Sequence, residues 1–225
     1  MKPIESVGIG LLYYNKGLQQ FERALYDAME TLKASGLVAR GEFIVQNGAP
    51  VDYAREHITA KVIESGLDAV IWIDTDLIIP PDALVRLVKM SNAGMPIAAG
   101  IYRRAMLDKD HQFLLTRRTI DEWATLEELR AHVDGGVTRV SMSAGGFSIV
   151  RREVYEAVER AFGRPWYLVY DREANDWCFE DTYFMRRVRK LDIPVHVDPE
   201  LHAVHWSHFG PVPVTPDQPE MALCL

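Results

Sequence analysis

Apolar residues in the first hundred positions alternate between short continuous runs and a spacing of three or four. The continuous runs predict strands at 7–14, 43–45, 69–73 and 96–102. The helical spacing between these runs predicts helices at 18–32, 52–62 and 82–88. This β-α-β alternation predicts an α/β fold with a mostly parallel central sheet and helices on both faces.

Residues that commonly begin or end helices lie at these predicted boundaries. Gly36 and Gly66 follow the first two predicted helices and are suited to ending them. Asp52 is predicted to cap the second helix, and Pro80-Pro81-Asp82 is predicted to start the third.

The region 103–139 is polar and long, which is often a sign of function. Its predicted helix begins where Thr125 and Glu128 are spaced to form a capping box. The apolar pattern resumes at Val140. It then predicts a strand at 148–150, a helix at 154–161, a helix at 180–191 and a strand at 195–197. We therefore expect one domain over 1–210, followed by a proline-rich tail over 211–225 that is extended on the surface or disordered.

Composition narrows the function classes. The chain has 225 residues and a formal net charge of −7, so general electrostatic binding to a nucleic-acid backbone is not expected. Its two cysteines, Cys178 and Cys224, favour a reducing, cytoplasmic setting over a disulfide framework. No signal-peptide pattern and no apolar run of about 18 residues is present, so neither export nor a membrane span is expected.

The strongest chemical signal is Asp74-Thr75-Asp76 at the end of the third predicted strand. Ligands of open parallel sheets gather at the carboxyl ends of the strands. Strand alternation turns both aspartates to one side and Thr75 away. Two close carboxylates repel each other, and a hard cation such as Mn²⁺ or Mg²⁺ relieves that repulsion. Two solvated residues at a strand end remain the alternative, because Asp-x-Asp alone is a weak motif.

Several ordered segments resemble the GT-A glycosyltransferases, in particular compact bacterial and phage members of the family-2-like group. They cover most of 6–210. The segments are Asn47–Arg55, Asp68–Pro81, Ala99–Tyr102, Gly145–Arg152, Phe179–Phe184 and Val197–Leu201 running on to His205. Each segment alone is only a weak match to the family. The resemblance is specific because the segments occur in the order and spacing found in the family.

The resemblance implies a GT-A fold and metal-dependent sugar transfer from a nucleotide-diphosphate donor. Asp76 would bind the Mn²⁺ or Mg²⁺ directly, with His205 as a second ligand. Asp74 would hold the ribose or a metal-bound water, beside Thr75 in the same motif. Asp181, with Glu180, would be the catalytic pair, and Asp181 would act as base in an inverting enzyme.

The resemblance also implies a nucleotide pocket. Tyr13, Asn47 and Arg55 would line it, with Arg55 near the diphosphate. Gly145 and Gly146 would let the backbone approach the donor sugar or the acceptor.

Each role has a structural alternative. Arg55 could be a surface residue paired with Asp52 or Glu56, and Glu180-Asp181 could simply favour the dipole of the following helix. Asn47-Gly48 could be a turn and Gly145-Gly146 a bulge.

The histidines and aromatic residues near the site also leave choices open. His202 and His208 compete with His205 for the metal, and His196 is expected to be structural. Trp177 and Trp206 are the candidates for the acceptor side. The pair Arg103-Arg104 follows a strand and could meet an anionic acceptor.

The expected partners are a nucleotide sugar and an acceptor hydroxyl on a glycan, a lipid-linked molecule, a small molecule or, less favoured, modified DNA. A nucleotidyltransferase is the nearest rival, but it needs a Gly-rich loop with Arg and Lys, and 13–17 offers one glycine and one lysine. A non-catalytic nucleotide-sugar-binding relative is the other alternative.

Overall fold

The structure is a computed structural model that describes residues 1–13, 19–105, 112–114, 116–117, 124–207 and 210–212. Its helices are α1 (Gln19–Ser35), α2 (Val51–Glu64), α3 (Ala83–Asn92), α4 (Leu126–Ala131), α5 (Arg152–Phe162) and α6 (Glu180–Lys190). The first strands are β1 (Ser6–Tyr13), β2 (Arg40–Asn47), β3 (Ala69–Ile73), β4 (Leu77–Ile78), β5 (Ile97–Ile101), β6 (Arg103–Ala105), β7 (Gln112–Leu114) and β8 (Thr116–Arg117). The later strands are β9 (Thr138–Val140), β10 (Met142–Ser143), β11 (Phe147–Arg151), β12 (Tyr170–Asp171), β13 (Asp176–Trp177), β14 (Val195–His202), β15 (Val204–Ser207) and β16 (Gly210–Val212).

Seven strands form the central sheet in the order β2-β1-β3-β11-β5-β14-β9. The pairs β1–β2, β1–β3 and β5–β14 are parallel, whereas β11 and β9 run antiparallel to their neighbours. The fold is therefore α/β with a mixed, mostly parallel sheet, because five of the seven strands share one direction.

Helices cover both faces of this sheet, as the sequence predicts. One apolar cluster joins the sheet to α1 and α3 through residues such as Phe21, Leu25 and Leu87. The other joins the opposite face to α2, α5 and α6 through residues such as Ile58 and Phe184. The strand interiors are buried on both sides, which explains why β3 and β5 are continuous apolar runs.

Most predicted elements are confirmed, but β2 and β14 are longer than predicted, and one predicted cap is wrong. Gly36 and Gly66 both have positive φ, as residues ending a helix often do. Thr125 and Glu128 form the predicted capping box. The predicted cap at Asp52 is wrong, because α2 already begins at Val51 and its N-cap is Pro50, which has no side-chain donor or acceptor.

Smaller sheets extend the fold on the side where the central strands end. The strands β16, β15 and β4 form a three-stranded sheet, so residues 211–212 of the predicted tail pair with β15. The rest of the predicted tail, 213–225, lies outside the described residues. Within the described ranges, no helix has the length and apolar character needed to cross a membrane.

Candidate functional site at the carboxyl ends of the central strands

The candidate site lies where the strand order changes direction. Strand β1 lies between β2 and β3, with α1 on one face of the sheet and α2 on the other. Such switch points create a crevice at the carboxyl ends of the strands. Tyr13 and Asn47 end β1 and β2 as register partners, and Asp74 directly follows β3. These three residues therefore lie at the same edge of the sheet, at the carboxyl ends of β1, β2 and β3.

Asp74 is fixed by backbone and side-chain contacts. Its N–H donates to Gly146 O at 2.8 Å, because β11 runs antiparallel beside β3. Its Oδ1 accepts from Arg55 Nη2 at 3.0 Å. Burial raises the pKa of Asp74 to about 6; the Arg55 cation opposes this rise, and the negative charges of Asp76 and Glu180 add to it. Asp74 thus holds its charge less readily than an ordinary aspartate.

Asp76 faces a different partner. Its Oδ2 lies 3.1 Å from Nε2 of His205. This pairing follows from the small sheet, in which β15 runs antiparallel to β4 and Trp206 N donates to Asp76 O at 2.7 Å. The Asp76 side chain is 51% exposed and that of His205 is 11% exposed. The half-exposed carboxylate of Asp76, beside the mostly buried imidazole of His205, is accessible to a ligand.

Thr75, between the two aspartates, is turned toward β1. Its hydroxyl donates to Leu12 O at 3.0 Å. This bond ties the motif to the neighbouring strand.

Arg55 is buried at the centre of the site, with only 3% of its surface exposed. Its Nη2 donates to Asp74 and its Nε donates to Glu180 Oε1 at 2.9 Å. The guanidinium also lies over the ring of Trp72, 4.9 Å from its centroid. Burial lowers the pKa of Arg55, but the neighbouring carboxylates outweigh it and hold that pKa well above its ordinary value. Arg55 is therefore a fixed cation.

The alternative in which Arg55 is a surface residue paired with Asp52 or Glu56 is wrong. Glu56 instead accepts hydrogen bonds from Arg164 and from the backbone N–H of Trp166. Helix α2 turns Arg55 inward with Ala54 and Ile58, toward the sheet.

Glu180 and Asp181 open α6 but occupy different environments. Glu180 is buried, and its Oε1 is taken up by Arg55. Burial raises the pKa of Glu180, and pairing with Arg55 opposes that rise. Asp181 is half-buried, and its Oδ2 accepts from Gly145 N at 3.0 Å. The two acidic residues also lie in the first turn of α6, where the helix dipole favours them, so this alternative and a site role coexist.

Close packing requires a glycine at position 146 and leaves little room for a side chain at position 145. A Cβ on Gly146 would lie 1.9 Å from Asp74 Oδ2 and 2.8 Å from the Tyr102 hydroxyl. A Cβ on Gly145 would lie 3.1 Å from Asp181 Cβ. The pair thus lets the Asp74 and Asp181 halves of the site approach each other.

Tyr102 is a site residue that sequence reasoning did not assign. It is 5% exposed, its ring lies 5.8 Å from that of His205, and burial raises its pKa well above the ordinary value, with further contributions from Asp74 and Asp181. The available signal was its position directly after β5, at the same edge of the sheet as Asp74.

The remaining candidates are more dispersed. His202 Nε2 contacts Pro199 O, so His205 is the described histidine that faces Asp76, and His208 lies outside the described residues. Trp206 packs against the core, whereas Trp177 is highly exposed.

The residues at the margins of the site have ordinary surroundings. Burial raises the pKa of Tyr13, whose ring packs edge-on against Phe21, and Asn47 is exposed. Arg103 is partly buried in β6, and nothing is described of the Arg104 side chain.

A metal ion would find two protein ligands at this site. Asp76 offers a carboxylate and His205 an imidazole, and the rest of the coordination sphere would have to come from phosphate oxygens and water. Within the described part of the chain there is no group of three or more His, Cys, Asp or Glu residues arranged to hold a metal. His205 Nδ1 is buried there without a hydrogen-bond partner. This donor set fits a cation that arrives with a diphosphate, as Mg²⁺ often does, better than a permanent structural metal.

Comparisons with known proteins support the fold and nothing finer. No family model matches the chain. No curated protein matches it either. Among solved structures, A197 from STIV superposes with a TM-score of 0.61 at 16% identity, covering 91% of this chain and 86% of that one. The chain therefore shares with that protein an α/β fold around a mixed, mostly parallel sheet.

Proposed function

We propose that this protein is a metal-dependent glycosyltransferase of the GT-A type that transfers a sugar from a nucleotide-diphosphate donor to an acceptor hydroxyl. The observation that carries this proposal is the contact of 3.1 Å between Asp76 Oδ2 and His205 Nε2, beside Asp74 at the switch point of the sheet. Two separate strand systems converge to make that contact, and Asp76 keeps half of its side chain open to solvent.

In this proposal Asp76 and His205 hold Mn²⁺ or Mg²⁺. When bound, the cation supplies positive charge against the diphosphate that leaves the sugar. Asp74 lies beside it and contributes a hydrogen-bond acceptor for the ribose or for a water molecule. Tyr13 and Asn47, at the ends of the two neighbouring strands, flank the nucleotide side of the crevice.

Asp181 is the proposed base. The acceptor oxygen forms a bond to the anomeric carbon, and the bond from that carbon to the donor phosphate breaks, its electron pair leaving on the nucleoside diphosphate. The acceptor hydroxyl proton passes to the Asp181 carboxylate. The backbone N–H of Gly145 and of Thr182 each bond one Asp181 oxygen, at 3.0 Å and 2.6 Å, which fixes the direction of that carboxylate.

Arg55 and Glu180 are positioning residues in this scheme. Arg55 has its Nε and Nη2 on carboxylates, so it is poorly placed to reach out to a diphosphate. It instead joins Asp74 to Glu180, and through Glu180 to the first turn of α6, where Asp181 lies. Arg55 thus connects the metal half of the site with the base half.

Isothermal titration calorimetry tests the proposal with Mn²⁺ and a panel of UDP, GDP, CDP, ADP and dTDP. We expect at least one diphosphate to bind in the presence of Mn²⁺ and to be released by EDTA. Asp76→Asn and His205→Ala should each weaken that binding by at least about tenfold. The matched control is Asp82→Asn, an exposed carboxylate at the N-terminus of α3.

Four outcomes would contradict the proposal. Failure of every diphosphate to bind, or binding that is indifferent to Mn²⁺ and to Asp76→Asn, removes the metal site. Release of pyrophosphate from a nucleoside triphosphate and a sugar phosphate identifies a nucleotidyltransferase instead. Tight binding of the matching nucleotide sugar with no hydrolysis or transfer identifies a non-catalytic relative.

A further inference from the structure

A short hairpin precedes the proposed base and is held rigidly. Strands β12 and β13 pair Tyr170 with Trp177 and Asp171 with Asp176. Asp171 Oδ1 accepts from the backbone N–H of Glu173 and Ala174 at 3.1 Å and 3.2 Å. We call residues 170–179 the aromatic hairpin.

Helix α6 is linked to this hairpin by hydrogen bonds from Arg186. Arg186 donates to Asp171 Oδ2 at 3.1 Å and to Asp176 Oδ2 at 3.4 Å. Burial raises the pKa of Asp171, but the N–H of Ala174 and the Arg186 guanidinium outweigh it and hold that pKa below its ordinary value. Arg186 therefore ties the hairpin to the helix that carries Asp181.

Two large aromatic side chains of the hairpin are exposed. Trp177 is 74% exposed and Phe179 is 62% exposed. Cys178 between them is turned inward, with its Sγ near Leu168 O, and Glu180 after them is buried. In extended chain, alternate residues share a side, so Trp177 and Phe179 face outward together. The ring of Tyr170 supports Trp177 edge-on at 5.2 Å.

We propose that the aromatic hairpin binds the acceptor, and that the acceptor is an oligosaccharide whose ring stacks on Trp177. This inference rests on the proposed function. Trp177 and Phe179 together present exposed aromatic surface on one side of the hairpin, and an aromatic ring offers a flat apolar face to the C–H side of a pyranose. The carboxylate of Asp176 next to the ring accepts hydrogen bonds from sugar hydroxyls.

The position of the hairpin fits this role. Trp177 and Asp181 are four positions apart, so their Cα atoms lie within about 14 Å of each other. One oligosaccharide can therefore touch Trp177 with one ring while a hydroxyl group of another ring reaches Asp181. A buried Glu180 and the start of α6 fix the direction of the chain between them.

Tryptophan fluorescence tests this binding without metal or nucleotide, so its failure is separable from failure of the proposed transfer. The probes are maltohexaose, cellohexaose and chitohexaose. We expect at least one of them to shift the emission of the wild-type protein and to bind with a measurable dissociation constant. Trp177→Ala and Phe179→Ala, followed by calorimetry, should weaken that binding by about tenfold or more. The Trp177→Phe variant keeps an aromatic ring and should retain most of the hexasaccharide binding.

The control is Tyr26→Ala, which removes an aromatic side chain that is 65% exposed on α1. It should leave hexasaccharide binding unchanged. No shift with any of the three hexasaccharides, or full binding by Trp177→Ala, overturns the inference. A shift produced only by phosphatidylcholine vesicles overturns it too, because the hairpin would then be a membrane contact. If a hexasaccharide binds but no nucleotide does, the hairpin site stands and the transferase proposal falls.

Discussion

Gly146 faces Asp74 so closely that a Cβ on the glycine would lie 1.9 Å from Asp74 Oδ2. Strand β11 creates this approach by running antiparallel beside β3, where Phe147 pairs with Ile73 and Gly146 comes next in register to Asp74. The first carboxylate of the motif is therefore positioned by the absence of a side chain on the adjacent strand.

Gly146→Ala should displace the Asp74 carboxylate and impair the site. The added methyl must push Asp74 or the Tyr102 hydroxyl aside, and overpacking of this kind destabilises a protein by about 1–3 kcal/mol. We expect a lower midpoint in urea unfolding and weaker Mn²⁺-dependent diphosphate binding. Gly41→Ala is the control, because a Cβ on Gly41 would meet nothing within 4 Å, and it should stay within about 1 kcal/mol of wild type. Equal stability and binding in both variants would contradict the close approach.

Arg55→Ala should be among the most destabilising single changes in this site. It leaves Asp74 and the buried Glu180 without their shared cation, and breaking a buried pair by removing one partner costs about 3–5 kcal/mol. Urea unfolding at constant pH measures the loss. Arg139→Ala removes an arginine whose ion pair with Asp192 is largely exposed, so it should cost no more than about 1 kcal/mol. A comparable loss in the two variants would mean that Arg55 is not the centre of a buried network.

The helices, the central strands and the edge that carries the site were predictable from sequence because they depend on local periodicity. Runs such as β3 are apolar at every position, and α3 begins directly after Pro80-Pro81-Asp82. The antiparallel direction of β11 was not predictable, since an apolar run carries no direction. The full length of β2 was missed because this edge strand buries only Ile44.

The interior of the site depends on contacts between distant residues, and no local pattern reveals these. Arg55 and Glu180 are 125 positions apart, and the sequence shows neither that they meet nor that both are buried. Asp76 and His205 are in contact, but composition and spacing could not choose among the histidines. Their role as metal ligands, which the family resemblance implies, stays a prediction. Tyr102 went unassigned because a tyrosine at a strand end is usually part of a core.

Without metal, the contribution of Asp74 to the stability of the protein should fall as the pH rises from about 4 to about 6. Burial raises the pKa of Asp74 from 3.8 to about 6, so the folded protein holds a proton there that the unfolded chain has already lost. The stabilisation is present below the unfolded pKa and is lost as the pH rises through the folded pKa. The raised pKa of Glu180 acts in the same direction. Urea unfolding in EDTA across this range measures the slope.

Asp74→Asn should flatten that slope, because the amide does not titrate. Asp68→Asn is a control of opposite sign. Burial raises the pKa of Asp68, but hydrogen bonds from the backbone of Glu5 and from Ser6 outweigh burial and hold that pKa below its ordinary value. The stabilisation from Asp68 is therefore lost as the pH falls. A wild-type slope in Asp74→Asn would show that Asp74 titrates normally in the folded protein.

Asp181→Asn should remove turnover while donor binding survives. The amide keeps the shape of the side chain, and its single oxygen can still accept from one of the two backbone N–H groups, that of Gly145 or that of Thr182, but it cannot take a proton from an acceptor hydroxyl. Loss of a general base typically lowers the rate by about 100–10,000-fold. Release of nucleoside diphosphate from the matching nucleotide sugar measures turnover, and calorimetry measures binding. Asp192→Asn, a substitution of an exposed carboxylate after α6, should leave both unchanged. Because Asp181 also fixes the Gly145 loop, a variant that loses binding as strongly as turnover would mark Asp181 as a structural residue, and one with full turnover would place the base elsewhere.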